Sequence, residues 1–219
     1  MPRLLFEKTG NAVWISHLDL MRLFQRAFKR ADLPLKHTQG FNPRPSVSIA
    51  LPLSVGVESQ CELLDFDLDG VTVPDTEICQ RLNDALITGV RVLQVYGDGR
   101  ALKNLAYLRC CLRLEYSGGV PEAAAEALRT LYASPSLLVE KKGKNGVSQQ
   151  DINPLLRELE ITQPDPDTLS LEAVICCQNP ALNPAQLCAA IEVYLPQYAP
   201  AHTRCKRLEI YDTNGNIFR

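Results

Sequence analysis

The sequence is poor in the residues and spacings that announce most enzyme chemistry. It holds three histidines, two methionines and one tryptophan in 219 residues. No H-E-x-x-H, C-x-x-C, zinc-ribbon or H-x-E…P-C-x-x-C pattern occurs, so no zinc site can be read from spacing. The C-x-x-x-C-x-x-C spacing of a radical iron–sulfur cluster is missing, as are a Walker loop and G-x-G-x-x-G, the usual phosphate cradles. We expect no metal and no cofactor. Apolar runs are short, such as AVICC at 173–177, against the ~20 residues of a membrane helix. The opening MPRLLFEKTG lacks the apolar stretch of a signal peptide. A cytoplasmic protein without a membrane partner is expected.

What is present is globular: 46% hydrophobic and 22% charged residues, enough for one large domain or two small ones. A net charge of −2 and a pI near 6.0 argue against a general DNA coat, and no DNA partner is expected. The average conceals segregation. Residues 1–50 are net +5, with Arg3, Lys8, Arg22, Arg26, Lys29, Arg30, Lys36 and Arg44 against three acids, whereas residues 58–88 are net −7. Such segregation makes room for a local anion site. The eight cysteines include the doublets Cys110-Cys111 and Cys176-Cys177. Both doublets lie in strand-like runs, so one thiol of each should face a core.

Period and punctuation give an α+β chain. RLLFEKTG reads as a strand that AVWIS continues or pairs with. In 16–31, Leu20, Leu23, Phe24, Ala27, Phe28 and Ala31 share one helical face, and Arg22, Arg26, Lys29 and Arg30 fall within about 100° on the other. Ser16 and Asp19 make a capping-box-like start. LPLKHT, SVSIALPLSV, the half-exposed CELLDFDL, a helix DTEICQRLNDAL capped by Asp75, and VRVLQVYG come next. After GDGRALKN the order repeats: LRCCLRLEY, helix PEAAAEALRTLYA, strand SLLVEKK, a basic turn at Lys141-Lys142-Gly143-Lys144, an ambiguous INPLLRELEIT, TLSLEAVICC, helix NPAQLCAAIEVYL and CKRLEIYD. Strand–helix–strand–strand–helix–strand is the split βαβ, ferredoxin-like unit. Two such units in tandem, 1–97 and 105–219, with antiparallel sheets and helices on one face, are expected. The RRM aromatic octamer is absent.

Three features carry candidate chemistry. At the start of helix 16–31, Ser16 and His17 stand where free N–H groups and the helix dipole favour an anion. His17 reads either as a packed structural histidine, an anion contact, or an acid–base group, and it is the one catalytic candidate. Arg22, Arg26 and Arg30, with Lys8 nearby in sequence, form a basic set suited to phosphate oxygens. Gly40-Phe41-Asn42-Pro43-Arg44-Pro45 is a stiff loop that presents Phe41, Asn42 and Arg44. A ring, an amide and a guanidinium suit an unpaired base; the plain alternative is a rigid connector with Phe41 in the core.

The stretch FEKTG…ISHLDLMRLFQRAFKRADLPLKHTQGFNPRPSVSIALPLSVGVES, with S-H-L-D-x-x-R-x-x-x-R-A and then G-F-N-P-x-P, resembles the opening of the bacterial radical SAM-linked protein family, a domain of unknown function numbered 2344. DINPLLRELEI at 151–161 resembles that family's D-I-R-P-L segment, with Asn153 in the arginine position. The motif positions are Phe6, Lys8, Gly10, Ser16, His17, Asp19, Arg22, Arg26, Arg30, Gly40, Phe41, Asn42, Pro43, Pro45, Gly56 and Ser59. The resemblance implies a setting in RNA or ribosome metabolism, beside a separate radical SAM protein with a cobalamin-binding-like region. It brings no established activity.

Three functions compete at this point. The first is a non-catalytic RNA-binding or substrate-presenting accessory protein, acting on tRNA or rRNA with the radical SAM partner. The second is a metal-independent RNA-processing or RNA-modifying enzyme using His17. The third is a protein-binding adaptor that uses the acidic 58–88 segment.

Overall fold

The computed structural model describes residues 1–97, 99–143 and 146–219. They divide into two compact units, Met1–Asn104 with Ile217–Arg219, and Leu105–Asn216. Both have the α+β, ferredoxin-like order expected from the sequence.

In the first unit, β1 (Arg3–Lys8), α1 (His17–Arg30), β2 (Val47–Ile49), β3 (Glu58–Phe66), α2 (Asp75–Ala85) and β4 (Val90–Tyr96) succeed one another. The strands lie in the antiparallel order β4-β1-β3-β2, so each helix crosses over a strand as the split βαβ motif requires. Leu4 and Phe6 of β1 meet Leu20, Phe24, Ala27 and Phe28 of α1 in one core with Ile78 and Leu82 of α2. Phe6 and Phe24 pack edge to face at 4.8 Å. This burial, rather than helix propensity, fixes which side of α1 meets solvent. The last three residues join this unit because Phe218, fully buried, lies under the guanidinium groups of Arg3 and Arg100.

Several local expectations change. AVWIS is no strand: Gly10–Trp14 forms a 3-10 turn after β1. LPLKHT contributes only the isolated pairings Leu35–Leu68 and His37–Pro45. The alternating β3 is buried at six of its nine residues, Glu62 included. Asp75 opens α2 as its first residue; Pro74 holds the cap position, and no side chain caps the helix.

The second unit runs β5 (Leu105–Glu115), α3 (Ala124–Tyr132), β6 (Leu138–Gly143), β7 (Gly146–Asp151), β8 (Leu156–Asp165), β9 (Thr168–Cys176), α4 (Pro184–Tyr194) and β10 (His202–Asp212). Its sheet order is β10-β5-β9-β8, the same topology with a hairpin inserted. SLLVEKK, expected as the second strand of this unit, pairs only with β7 in a two-stranded ribbon. The ambiguous segment supplies that strand, β8, instead. At the ribbon's foot the Asp151 carboxylate accepts from Ser136 Oγ, Leu137 N and Asn153 N. These bonds, the Leu137 amide first, hold it below the usual carboxylate range. Of the basic turn, Lys144 and the Lys142 side chain lie outside the described residues.

Cys110 and Cys177 face the core while Cys111 and Cys176 do not, as strand alternation demands. Burial pushes the Cys177 thiol up to about 11 and Cys205 to about 12, and raises Cys110 further. These thiols are therefore expected to resist alkylation near pH 8 and to react fully once the chain is unfolded, as mass spectrometry of labelled protein would record. A group harder to ionise folded than unfolded stabilises the fold fully below its ordinary pKa of 9.0. That contribution should shrink as pH rises from there toward 11–12.

Candidate nucleic-acid interface

The first unit carries every candidate residue. Ser16 caps α1: its hydroxyl accepts from Asp19 N at 3.2 Å and donates to Asp19 Oδ2 at 2.7 Å. Arg22 bonds the same carboxylate at 2.9 Å. Asp19 is held below the usual carboxylate range first by the Ser16 hydroxyl and then by Arg22, with Arg26 adding its charge. An acid thus stands in the first turn of the helix, and the Ser16 hydroxyl already takes the Asp19 N–H. Arg26 and Lys29 are exposed with no hydrogen bond or ion pair among the described residues.

The other basic residues are placed differently. Lys8 has no surface to offer: it is 1% exposed, and its ammonium donates to Val13 O at 3.1 Å and Ile15 O at 2.8 Å. Burial lowers its pKa. Its expected anion contact is replaced by a backbone-holding role, because β1 turns Lys8 inward beneath the 3-10 turn. Arg30 is exposed, yet its guanidinium donates to Ala85 O at the end of α2, satisfying an orphan helix carbonyl. His17 is half-exposed and makes no hydrogen bond among the described residues. No carboxylate or carbonyl orients it as a general base is usually oriented.

The second group is the loop between α1 and β2. Its stem is a narrow ribbon. Lys36 N donates to Asp67 O, Ser46 N to Lys36 O at 2.7 Å, and Asp67 N to Ser46 O. Above it Thr38 N donates to Arg44 O at 2.9 Å and Arg44 N to Thr38 Oγ1 at 3.0 Å. These bonds close residues 39–43 into a tip. Gly40 takes φ +132° there, a value side-chain-bearing residues avoid. Phe41 is fully exposed, and Asn42 and Arg44 are exposed beside it. Phe41 is therefore not core, and the Arg44 guanidinium has no partner among the described residues. Lys36 pairs with Asp67 at 3.6 Å.

Sequence reasoning passed over Trp14. It is 70% exposed at the end of the 3-10 turn, and its ring lies over Gly56. The signal was available: a lone tryptophan two residues before S-H-L-D, with a glycine that the motif also contains.

Among the described residues no group of three or more His, Cys, Asp or Glu is placed to hold a metal ion, and no helix is long and apolar enough to cross a membrane.

Solved structures of similar form include a chain of the Cbf5-Nop10-Gar1 complex, with TM-score 0.52 and 9% identity over 95% of this chain and 48% of that one. A chain of the archaeal box H/ACA sRNP Nop10-Cbf5 complex gives TM-score 0.48 and 10% identity over 94% and 46%. An unknown protein from Galdieria sulphuraria gives 0.26 and 12% over 94% and 96%. The chain spans about half the length of the first two. At such identities the likeness concerns fold alone. No curated protein matches the sequence. The sequence profile of a bacterial family covers residues 2–184, and by that match the chain belongs to the family described as uncharacterized protein conserved in bacteria, DUF2344.

Proposed function

We propose that this chain is a non-catalytic RNA-binding module, acting on tRNA or rRNA in the cytoplasm and presenting it to a radical SAM enzyme. The observation that carries the RNA part is Phe41, fully exposed on a loop whose hydrogen bonds exclude its own side chain. Exposing a phenylalanine leaves apolar surface in water, and a pinned tip next to an unpartnered guanidinium is how a ring is displayed for a base to stack on. The free cations on α1 supply phosphate contacts that carry no sequence preference. The radical SAM partner rests on the family resemblance alone.

The competing readings have less support. For an enzyme using His17, no group among the described residues orients the imidazole. An adaptor using 58–88 would have only part of its acids to offer, because Asp65 pairs with Arg3, Asp67 with Lys36 and Glu77 with Arg81 and Glu62 is buried, which leaves Asp69, Asp75 and Asp84 exposed.

The test is RNA affinity at several salt concentrations. Arg26→Ala should weaken binding to many RNAs alike and flatten the log–log salt slope by roughly 0.7–0.9, the share of one neutralised phosphate. Arg22→Ala should weaken binding further than the loss of one phosphate partner predicts, because it also leaves Asp19 unneutralised. If both variants bind as the wild type does at every salt concentration, the RNA reading is wrong.

A further inference from the structure

Trp14 is displayed by a support that a merely peripheral side chain would not need. The Lys8 ammonium reaches up from β1 and bonds the carbonyls of Val13 and Ile15, the two residues flanking Trp14. Gly56 N donates to Val13 O at 2.9 Å from the far side. The main chain at Trp14 is therefore tied from two directions by groups outside its own turn.

The ring lies beside Gly56. Gly56 sits at φ +85°, and a Cβ there would lie 3.4 Å from Trp14 Cζ3. A side chain there would fit in ordinary contact with the indole, so it is the positive φ, which side-chain-bearing residues avoid, that favours glycine beside the ring. The rest of the ring is open, 70% of the residue being exposed. A tryptophan kept for packing would be mostly buried. The head of α1 beyond Trp14 is open to solvent as well: His17 is half-exposed without a partner, and Leu18, one helical turn before Arg22, is exposed, as is Arg26. Val55 is exposed beside Gly56. The ring thus stands at the head of a helix whose solvent side is cationic.

From this geometry we infer that Trp14 is a stacking platform for an unpaired RNA base, whose flanking phosphates are met by the cations of α1. The inference rests on the RNA-binding reading and adds a second ring, separate from Phe41, to it. A ring beside Gly56 and otherwise open accepts any base, since every base has a π-face. The ligand class is accordingly single-stranded or looped RNA of no fixed sequence, and a continuous duplex, with its bases already stacked, gains nothing from the platform.

The protein carries its own probe, because Trp14 is the sole tryptophan. Titration of the whole chain with oligouridylate should quench its fluorescence, while an abasic strand with the same number of phosphates should leave it unchanged. In parallel, anisotropy of a labelled oligouridylate gives affinity independently of the tryptophan. Trp14→Ala should weaken that affinity by about 5- to 150-fold, the span that stacking one base supplies. Trp14→Phe should recover most of it, and neither should lower the melting temperature appreciably. If the labelled strand binds wild type and Trp14→Ala equally and the tryptophan stays unquenched, the platform is refuted while RNA binding stands. If the wild type shows no anisotropy rise at all, RNA binding fails and the platform falls with it.

Discussion

Replacing Phe41 by alanine is expected to weaken binding of single-stranded RNA by about 1–3 kcal/mol, the worth of one base stacked on an aromatic ring, without lowering thermal stability. The two halves of this expectation have one cause. A buried phenylalanine truncated to alanine costs about 3–5 kcal/mol of stability through lost transfer energy and a cavity. Phe41 is fully exposed, so its removal opens no cavity, and the loop is closed by Thr38, Arg44, Lys36 and Ser46 without it. The variant should also leave the salt slope unchanged, since a ring releases no counterions. Arg44→Ala should do the reverse at the same tip, flattening the slope by roughly 0.7 for each single-strand phosphate that the guanidinium neutralises. Affinity at several salt concentrations, with melting temperatures, separates them. A lowered melting temperature with unchanged affinity would sink the stacking role.

How far such a surface can be read in advance depends on which forces are local. Helix α1 was legible residue by residue, because its 3.6 period, its Ser16 cap and its cationic face are all set within one segment. The strand–helix order of the first unit came from the element sequence and the βαβ rule, whereas in the second the ambiguous segment and not SLLVEKK supplies the second sheet strand. The failures share a reason: they turn on what lies across space. AVWIS has the composition of a strand, but it coils because Lys8 and Gly56 hold its carbonyls from elsewhere in the unit. SLLVEKK has a strand's pattern and forms a strand, yet it pairs with β7 in a two-stranded ribbon, which its own residues do not announce. The charge count misled similarly. Of the eight cations in residues 1–50, Arg3 and Lys8 are buried, Arg30 caps α2, and Arg22 and Lys36 are paired, so Arg26, Lys29 and Arg44 are what the sum leaves unpaired among the described residues. In a single strand a cation can point to solvent or into a covered second face, and alternation alone cannot tell which.

Arg3 shows what that second face demands. Asp65→Ala is expected to destabilise the first unit by about 3–5 kcal/mol, the cost of leaving a buried ion without its partner. Arg3 stands opposite Asp65 in the pairing of β1 with β3 and is 3% exposed. Its guanidinium meets the carboxylate twice, Nε to Oδ1 at 2.5 Å and Nη2 to Oδ2 at 3.0 Å, and spends Nη1 on Arg100 O at 2.9 Å. The Phe218 ring lies 5.5 Å below. Removing the carboxylate leaves the charge sealed there with the Arg100 carbonyl, the Phe218 ring and the neighbouring Tyr96 hydroxyl, none of them an anion. The exposed pair Lys36–Asp67 is the internal control: Lys36→Ala should cost no more than about 1 kcal/mol. A third variant isolates the charge from the shape. Arg3→Met combined with Asp65→Leu removes both ions and keeps apolar volume, and such replacements are often neutral or stabilising, so the double variant should be clearly more stable than Asp65→Ala. Chemical denaturation of the whole chain measures all three, with attention to two transitions because the chain has two units. Equal stability of Asp65→Ala and Lys36→Ala would mean that the buried guanidinium finds other compensation, and that the first strand is held by its leucines and Phe6 alone.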